Sequence, residues 1–128
     1  MEADQTKSKR DRQTVVYLRV TESTGRDKLR VRRRDLGRIG PGTRLLVHAA
    51  AGGVGLLVCS WARRLGATVL GTVSSDAKAQ VARAYGCEHV IVTRNYRFAD
   101  AVHAACGGAD VVIDGLGDAA RDENLAAL

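Results

Sequence analysis

An apolar run, LLVHAA (45–50), passes through a turn of small residues into a stripe of helical period. A continuous apolar run reads as a strand buried on both faces, the condition of a parallel sheet. Val54, Leu57, Val58, Trp61, Ala62 and Leu65 then recur every three or four residues, one face of an amphipathic helix. Arg63 and Arg64 suit the negative end of that helix, and Gly66 supplies its stop. The pattern repeats. ATVLGTV (67–73) is a second buried strand, Asp76 can cap a helix running to Tyr85, and HVIV (89–92) is a third strand. Residues 98–106 form a third helix ended by Gly107-Gly108, DVVID (110–114) a fourth strand, and DAARDENLAAL opens another helix. Strands alternating with helices at this spacing require a parallel sheet with right-handed crossovers, a doubly wound α/β arrangement.

The turn between first strand and first helix is Ala50-Ala51-Gly52-Gly53-Val54-Gly55, a G-x-G-x-x-G pattern with Ala at its first position. Small residues permit a tight strand-to-helix turn, Gly52 lets a pyrophosphate approach the backbone, and Gly55 lets the helix sit close to the strand. Free amides and the dipole at the helix N-terminus then hold the anion. The motif follows a buried strand and opens an amphipathic helix inside a βαβ unit, the context a dinucleotide fingerprint demands. The expected fold is therefore a Rossmann-like doubly wound sheet of about four strands over residues 39–128.

The end of the second strand selects the cofactor. NAD-preferring sites place an acid there, about 20 residues past the motif, to hold ribose hydroxyls. Val73 stands at that place, followed by Ser74, Ser75, Asp76 and Lys78. Hydroxyl donors and a cation suit a 2′-phosphate, so NADPH is favoured over NADH. A plain helix start by Ser74, Ser75 and Asp76 is the competing reading.

Charge sets residues 1–38 apart. They hold twelve Lys/Arg against six Asp/Glu, whereas residues 39–128 hold eight of each. Residues 1–13 have nothing to bury and read as disordered. TVVYLRV (14–20) can form a strand and KLRVR (28–32) a second, so a hairpin across 14–33 is expected. A basic arm on a neutral body suits nucleic acid or an anionic partner. Only Tyr17 offers an aromatic near Arg32-Arg33-Arg34, and no nucleic-acid motif accompanies them, so a solvated charge run outweighs specific recognition. No apolar run approaches the ~20 residues that cross a bilayer, and the polar N-terminus has no signal-peptide core. Cys59, Cys87 and Cys106 are an odd number without CxxC spacing, which argues against a disulfide framework or cysteine zinc site and for a reducing cytoplasm. They read as packing residues, Trp61 as core, and His48 as a hydrogen-bonded near-core residue. His89 and His103 lack partners at metal spacing, so no metal and no catalytic residue is expected.

Residues 34–128 resemble the cofactor-binding domain of medium-chain dehydrogenases/reductases, in their zinc-free NADPH:quinone oxidoreductase branch. The resemblance rests on RIGPGTRLLVHAAAGGVGLLVCSWARRLGATVLGTVSSDAKA (38–79), GCEHVIV (86–92) and DVVIDGLG (110–117). It implies NADPH pyrophosphate on Gly52, Gly53 and Val54, 2′-phosphate contacts from Ser74 and Lys78, and Gly115-Leu116-Gly117 near the nicotinamide ribose. A family tyrosine after the third strand falls here on Thr93, which weakens the expected phosphate grip. The family's N-terminal catalytic domain has no counterpart in residues 1–33, and only the first half of the sheet plus one strand is encoded. Little or no turnover is therefore expected of this chain alone. In the complete enzyme, hydride would pass from NADPH to a quinone or enone. The sheet edge beyond the fourth strand is expected to stand open, as an aggregation hazard, a homodimer contact or a place for a partner chain. Alternatives from other classes are a non-catalytic module using the basic arm and a truncated gene product.

Overall fold

The computed structural model describes residues 14–17, 39–114 and 117–128. Its sheet holds β1 (Thr14–Tyr17), β2 (Arg44–Val47), β3 (Thr68–Val73), β4 (His89–Val92) and β5 (Val111–Asp114), all parallel, in the order β1-β5-β2-β3-β4. The helices are α1 (Gly53–Arg64), α2 (Asp76–Ala84), α3 (Ala99–Cys106) and, after a 3₁₀ turn over Gly117–Ala120, α4 (Arg121–Ala127). The alternation expected over 39–128 is thus present element by element.

Side-chain alternation along the strands divides the interior into two cores. Leu45, Val47, Val69, Val73, Val111 and Ile113 face α1 and α2. Leu46, Leu70 and Val112 face the opposite way, onto Phe98, Val102, Ala120 and Ala127 from the α3 and α4 side. The result is a three-layer sandwich. The winding runs β2, β3, β4 outward and then crosses to β5 on the other flank of β2. That reversal between β2 and β5 creates a crevice outside the carboxyl ends of the strands, where ligands bind in such sheets.

Three contacts fix the far parts of the chain. The Arg44 guanidinium grips Asp110 through Nη2–Oδ1 at 2.9 Å and Nε–Oδ2 at 3.1 Å, and donates to the Cys106 carbonyl at 3.0 Å. This joins the starts of β2 and β5 to the end of α3. The Glu123 carboxylate accepts from the Phe98 and Ala99 amides, both at 2.9 Å, and so caps α3 from α4. Those two amides hold its carboxyl below the usual range. Gly107, at φ 80°, ends α3 in the left-handed conformation that glycine adopts without strain.

Two expectations need correction. The β5 edge is not open: β1 lies against it in parallel register, Thr14 opposite Val111 through Tyr17 opposite Asp114. A Thr-Val-Val-Tyr backbone favours extended geometry, and the unpaired amides of β5 give it a ladder to join. The strand foreseen in 14–20 is therefore present with a distant partner, while the hairpin's second strand (28–32) lies outside the described residues. The buried face of α1 is also rotated from the stripe expected for it. Gly55, Val58, Cys59 and Ala62 are buried, Val54 and Trp61 flank them half-buried, and Leu57 is 72% exposed. The smallest side chains face the sheet because α1 approaches it closely.

Candidate functional site

The crevice begins at the turn between β2 and α1. Ala49 adopts φ 50°, the Ala50 amide donates to the Thr72 carbonyl at 3.1 Å, and the Gly52 amide donates to the Ala49 carbonyl at 2.9 Å. The first helical bond runs from Leu56 to the Gly52 carbonyl at 2.9 Å, so the amides of Gly53, Val54 and Gly55 precede it. The N-cap, Gly52, has no side chain to cover them, and the first turn holds no acid. The positive end of the helix is therefore left unneutralised. A Cβ on Gly55 would lie 2.3 Å from the Ala49 carbonyl oxygen, which forbids any side chain there. A Cβ on Gly53 would meet nothing within 4 Å. One glycine is needed for packing and the other leaves space.

Beside this turn opens a cleft of about 600 Å³. Ala49, Ala51 and Gly52 form one wall and Thr72, Val73 and Ser74, at the end of β3, its floor. Lys78, Thr93, Arg94 and Tyr96 form the far wall. Lys78 Nζ donates to Ser74 Oγ at 3.0 Å, and Arg94 Nε donates to the Ser74 carbonyl at 3.3 Å. Two cations thus converge on one serine, with no carboxylate among the lining residues. Ser75 Oγ accepts from the Lys78 amide at 3.3 Å and caps α2, the role expected of Asp76. Asp76 instead occupies the first turn of α2, where its charge suits the helix dipole.

Of the residues named from sequence, Ala51, Gly52, Ser74 and Lys78 line the cleft, while Gly53, Val54 and Gly55 form the amide end of α1. Ser75 stands behind them as a cap. Gly117 begins the 3₁₀ turn, and Gly115 and Leu116 lie outside the described residues. Sequence reasoning missed Arg94 and Tyr96. Thr93 does stand where an aromatic was expected, but Tyr96, at φ 56°, reaches the same cleft three residues later. The run TRNYR after the third strand carried the cation and the ring, but no periodicity to place them.

Behind the floor, His48 is buried in a polar chain. Asn124 Nδ2 donates to Asp114 Oδ2 at 2.7 Å, so Asn124 Oδ1 is left to accept from His48 Nε2 at 2.5 Å. The neutral ring then accepts at Nδ1 from the Thr72 hydroxyl at 2.7 Å. Burial holds His48 below its ordinary range, against the opposing pull of Asn124 and Asp114. Phe98 covers the ring, with centroids 4.5 Å apart. The chain is a fully satisfied brace joining β2, β3, β5 and α4.

The zinc-binding dehydrogenase family model matches residues 53–128. This chain belongs to the medium-chain dehydrogenase/reductase family. Within that family it is similar to the 2-haloacrylate reductase of a Burkholderia species, 46% identical over 90 residues, which are 69% of this chain and 27% of the relative. The Escherichia coli quinone oxidoreductase, solved in complex with NADPH, superposes with a TM-score of 0.66 at 39% identity, covering 70% of this chain and 28% of that one. A structure described as a putative enoyl reductase domain of a polyketide synthase gives 0.65 at 37% identity, over 74% of this chain and 55% of that one. The chain thus spans about a quarter of the full-length curated relative. Among the described residues no three His, Cys, Asp or Glu side chains converge as ligands. His48 and His103 are engaged in internal hydrogen bonds.

Proposed function

We propose that this medium-chain dehydrogenase/reductase binds NADPH and forms the cofactor-holding portion of a reductase acting on a quinone or an electron-poor alkene. The observation that carries it is the joint presence of Lys78 and Arg94 on Ser74, in a cleft lined by no acid, next to the uncapped end of α1. In this reading the amides of Gly53, Val54 and Gly55 hold the pyrophosphate. Ser74 and Lys78 take the 2′-phosphate, Arg94 adds a second cation, and the Tyr96 ring offers a face to the adenine. Gly115, Leu116 and Gly117 are assigned to the nicotinamide ribose. NADPH supplies a hydride when bound. The described residues hold the diphosphate end and supply no acid, base or nucleophile for the transfer.

Near-attack placement of nicotinamide and acceptor accounts for orders of magnitude in rate. The described residues offer little to enclose an acceptor, so we assign little or no turnover to them alone and the substrate pocket to protein beyond them. No helix among the described residues is long and apolar enough to cross a membrane. With three free cysteines this fits a cytoplasmic setting. Fluorescence titration with NADPH and NADH, beside a quinone-reduction assay, tests the reading. Tighter binding of NADPH without turnover is expected. Equal affinity for both cofactors would remove the phosphate assignment, and turnover at ordinary enzyme rates would remove the assignment of an incomplete catalyst.

A further inference from the structure

The contact between Cys59 and Cys87 has no place in the cofactor site. Their sulfurs lie 3.2 Å apart, one on the buried face of α1 and the other just before β4, and both thiols are free. The backbone holds the pair together. Gly86, at φ 118°, sits where a Cβ would come within 3.2 Å of the Cys59 carbonyl oxygen, so the turn before Cys87 rests directly on α1. The Cys87 amide is anchored to the Ala82 carbonyl at 3.1 Å. Either thiol can donate to the other, and that contact together with burial holds Cys59 above the ordinary thiol range. The same bond draws Cys87 below it, against burial. A second cleft, of about 540 Å³, opens between the C-terminal ends of α1 and α2. Ser60 and Gly86, the chain neighbours of the two cysteines, line it together with Arg63 and Arg64.

We propose that Cys59 and Cys87 are an oxidisable dithiol, closed to a disulfide by hydrogen peroxide. The Cys87 thiolate attacks one peroxide oxygen, the O–O bond breaks, and the departing hydroxide takes a proton to leave as water. Cys59 sulfur then attacks the Cys87 sulfenic sulfur. An S–S bond forms, the S–O bond breaks, and a second water leaves with the Cys59 proton. Two thiols lose two electrons and two protons, which the peroxide takes up. Closing the sulfurs to about 2.05 Å needs a shift of roughly 1 Å, within reach of side-chain rotation.

The test treats the reduced full chain with hydrogen peroxide, then alkylates it under denaturing conditions and maps peptides by mass. The expected result is one linked peptide pair carrying Cys59 and Cys87, lighter by two hydrogens, with Cys106 still alkylated. A Cys106→Ser variant should keep that product and a Cys87→Ala variant should lose it. The wild-type map alone decides the matter if the latter fails to fold. Recovery of Cys59 and Cys87 as free thiols, or as separate sulfinic acids, would overturn the proposal.

Discussion

Single side chains decide which nucleotide this crevice can take. Lys78 donates to Ser74 at the place where an acid would hold a ribose. A Lys78→Ala change should weaken NADPH binding about tenfold, the size of one lost charge-assisted contact, and leave NADH nearly unaffected. Fluorescence titration of both cofactors checks this. His48 makes a prediction of opposite character. Its folded pKa lies below its unfolded value, so below about pH 6.5 the unfolded chain binds more protons. Stability should therefore be complete above that pH, fall as the medium is acidified, and level off below the folded pKa. Urea unfolding across pH should lose this portion of the slope in His48→Gln. At Gly55 even a methyl group meets the Ala49 carbonyl at 2.3 Å. Gly55→Ala should destabilise by about 1–3 kcal/mol, as overpacking does, and displace the α1 amides enough to reduce NADPH affinity.

Elements were readable to different degrees, for physical reasons. β2, β3 and β5 announce themselves as apolar runs because a parallel strand covered on both faces can carry little else, while the edge strand β4 keeps an apolar run only half-buried. Their termini shift by a residue or more: the run 45–50 ends as a strand at Val47, because Ala49 turns into the left-handed region. The face of α1 was misread because the periodicity follows large side chains, whereas close contact with the sheet selects Gly55, Cys59 and Ala62. Lys78 and Ser74 were readable through the motif that precedes them. Arg94 and Tyr96 were not, since a turn with positive φ at Tyr96 places them and no repeat signals it. The approach of Cys59 to Cys87 likewise joins residues 28 apart that no local pattern couples. The cap on α3 shows the same non-local logic. Glu123→Ala should cost about 1 kcal/mol in chemical denaturation, the usual value of a lost N-terminal cap, although residue 123 lies outside α3.

At the level of the molecule, the pairing of β1 with β5 changes what the rest of the chain presents. Edge strands invite intermolecular pairing. Removing residues 1–17 should therefore uncover β5 and raise self-association, visible in light scattering at concentrations where the full chain stays monodisperse. The two cores should not respond equally to disruption. Leu46→Ala removes one of the two fully buried strand leucines on the α3–α4 side and should lower stability by about 2–5 kcal/mol, measured by thermal or urea unfolding.

The register Thr14–Val111 also sets an order of events during synthesis. A ribosome delivers β1 well before its ladder partner β5. At about 5–20 residues per second, the nascent β1 waits on the order of 5–20 s for its neighbour. Throughout that interval the α/β body can assemble around β2 and β3, so β1 is stitched in after it. Chaperone dependence should accordingly track the speed of translation between those two strands.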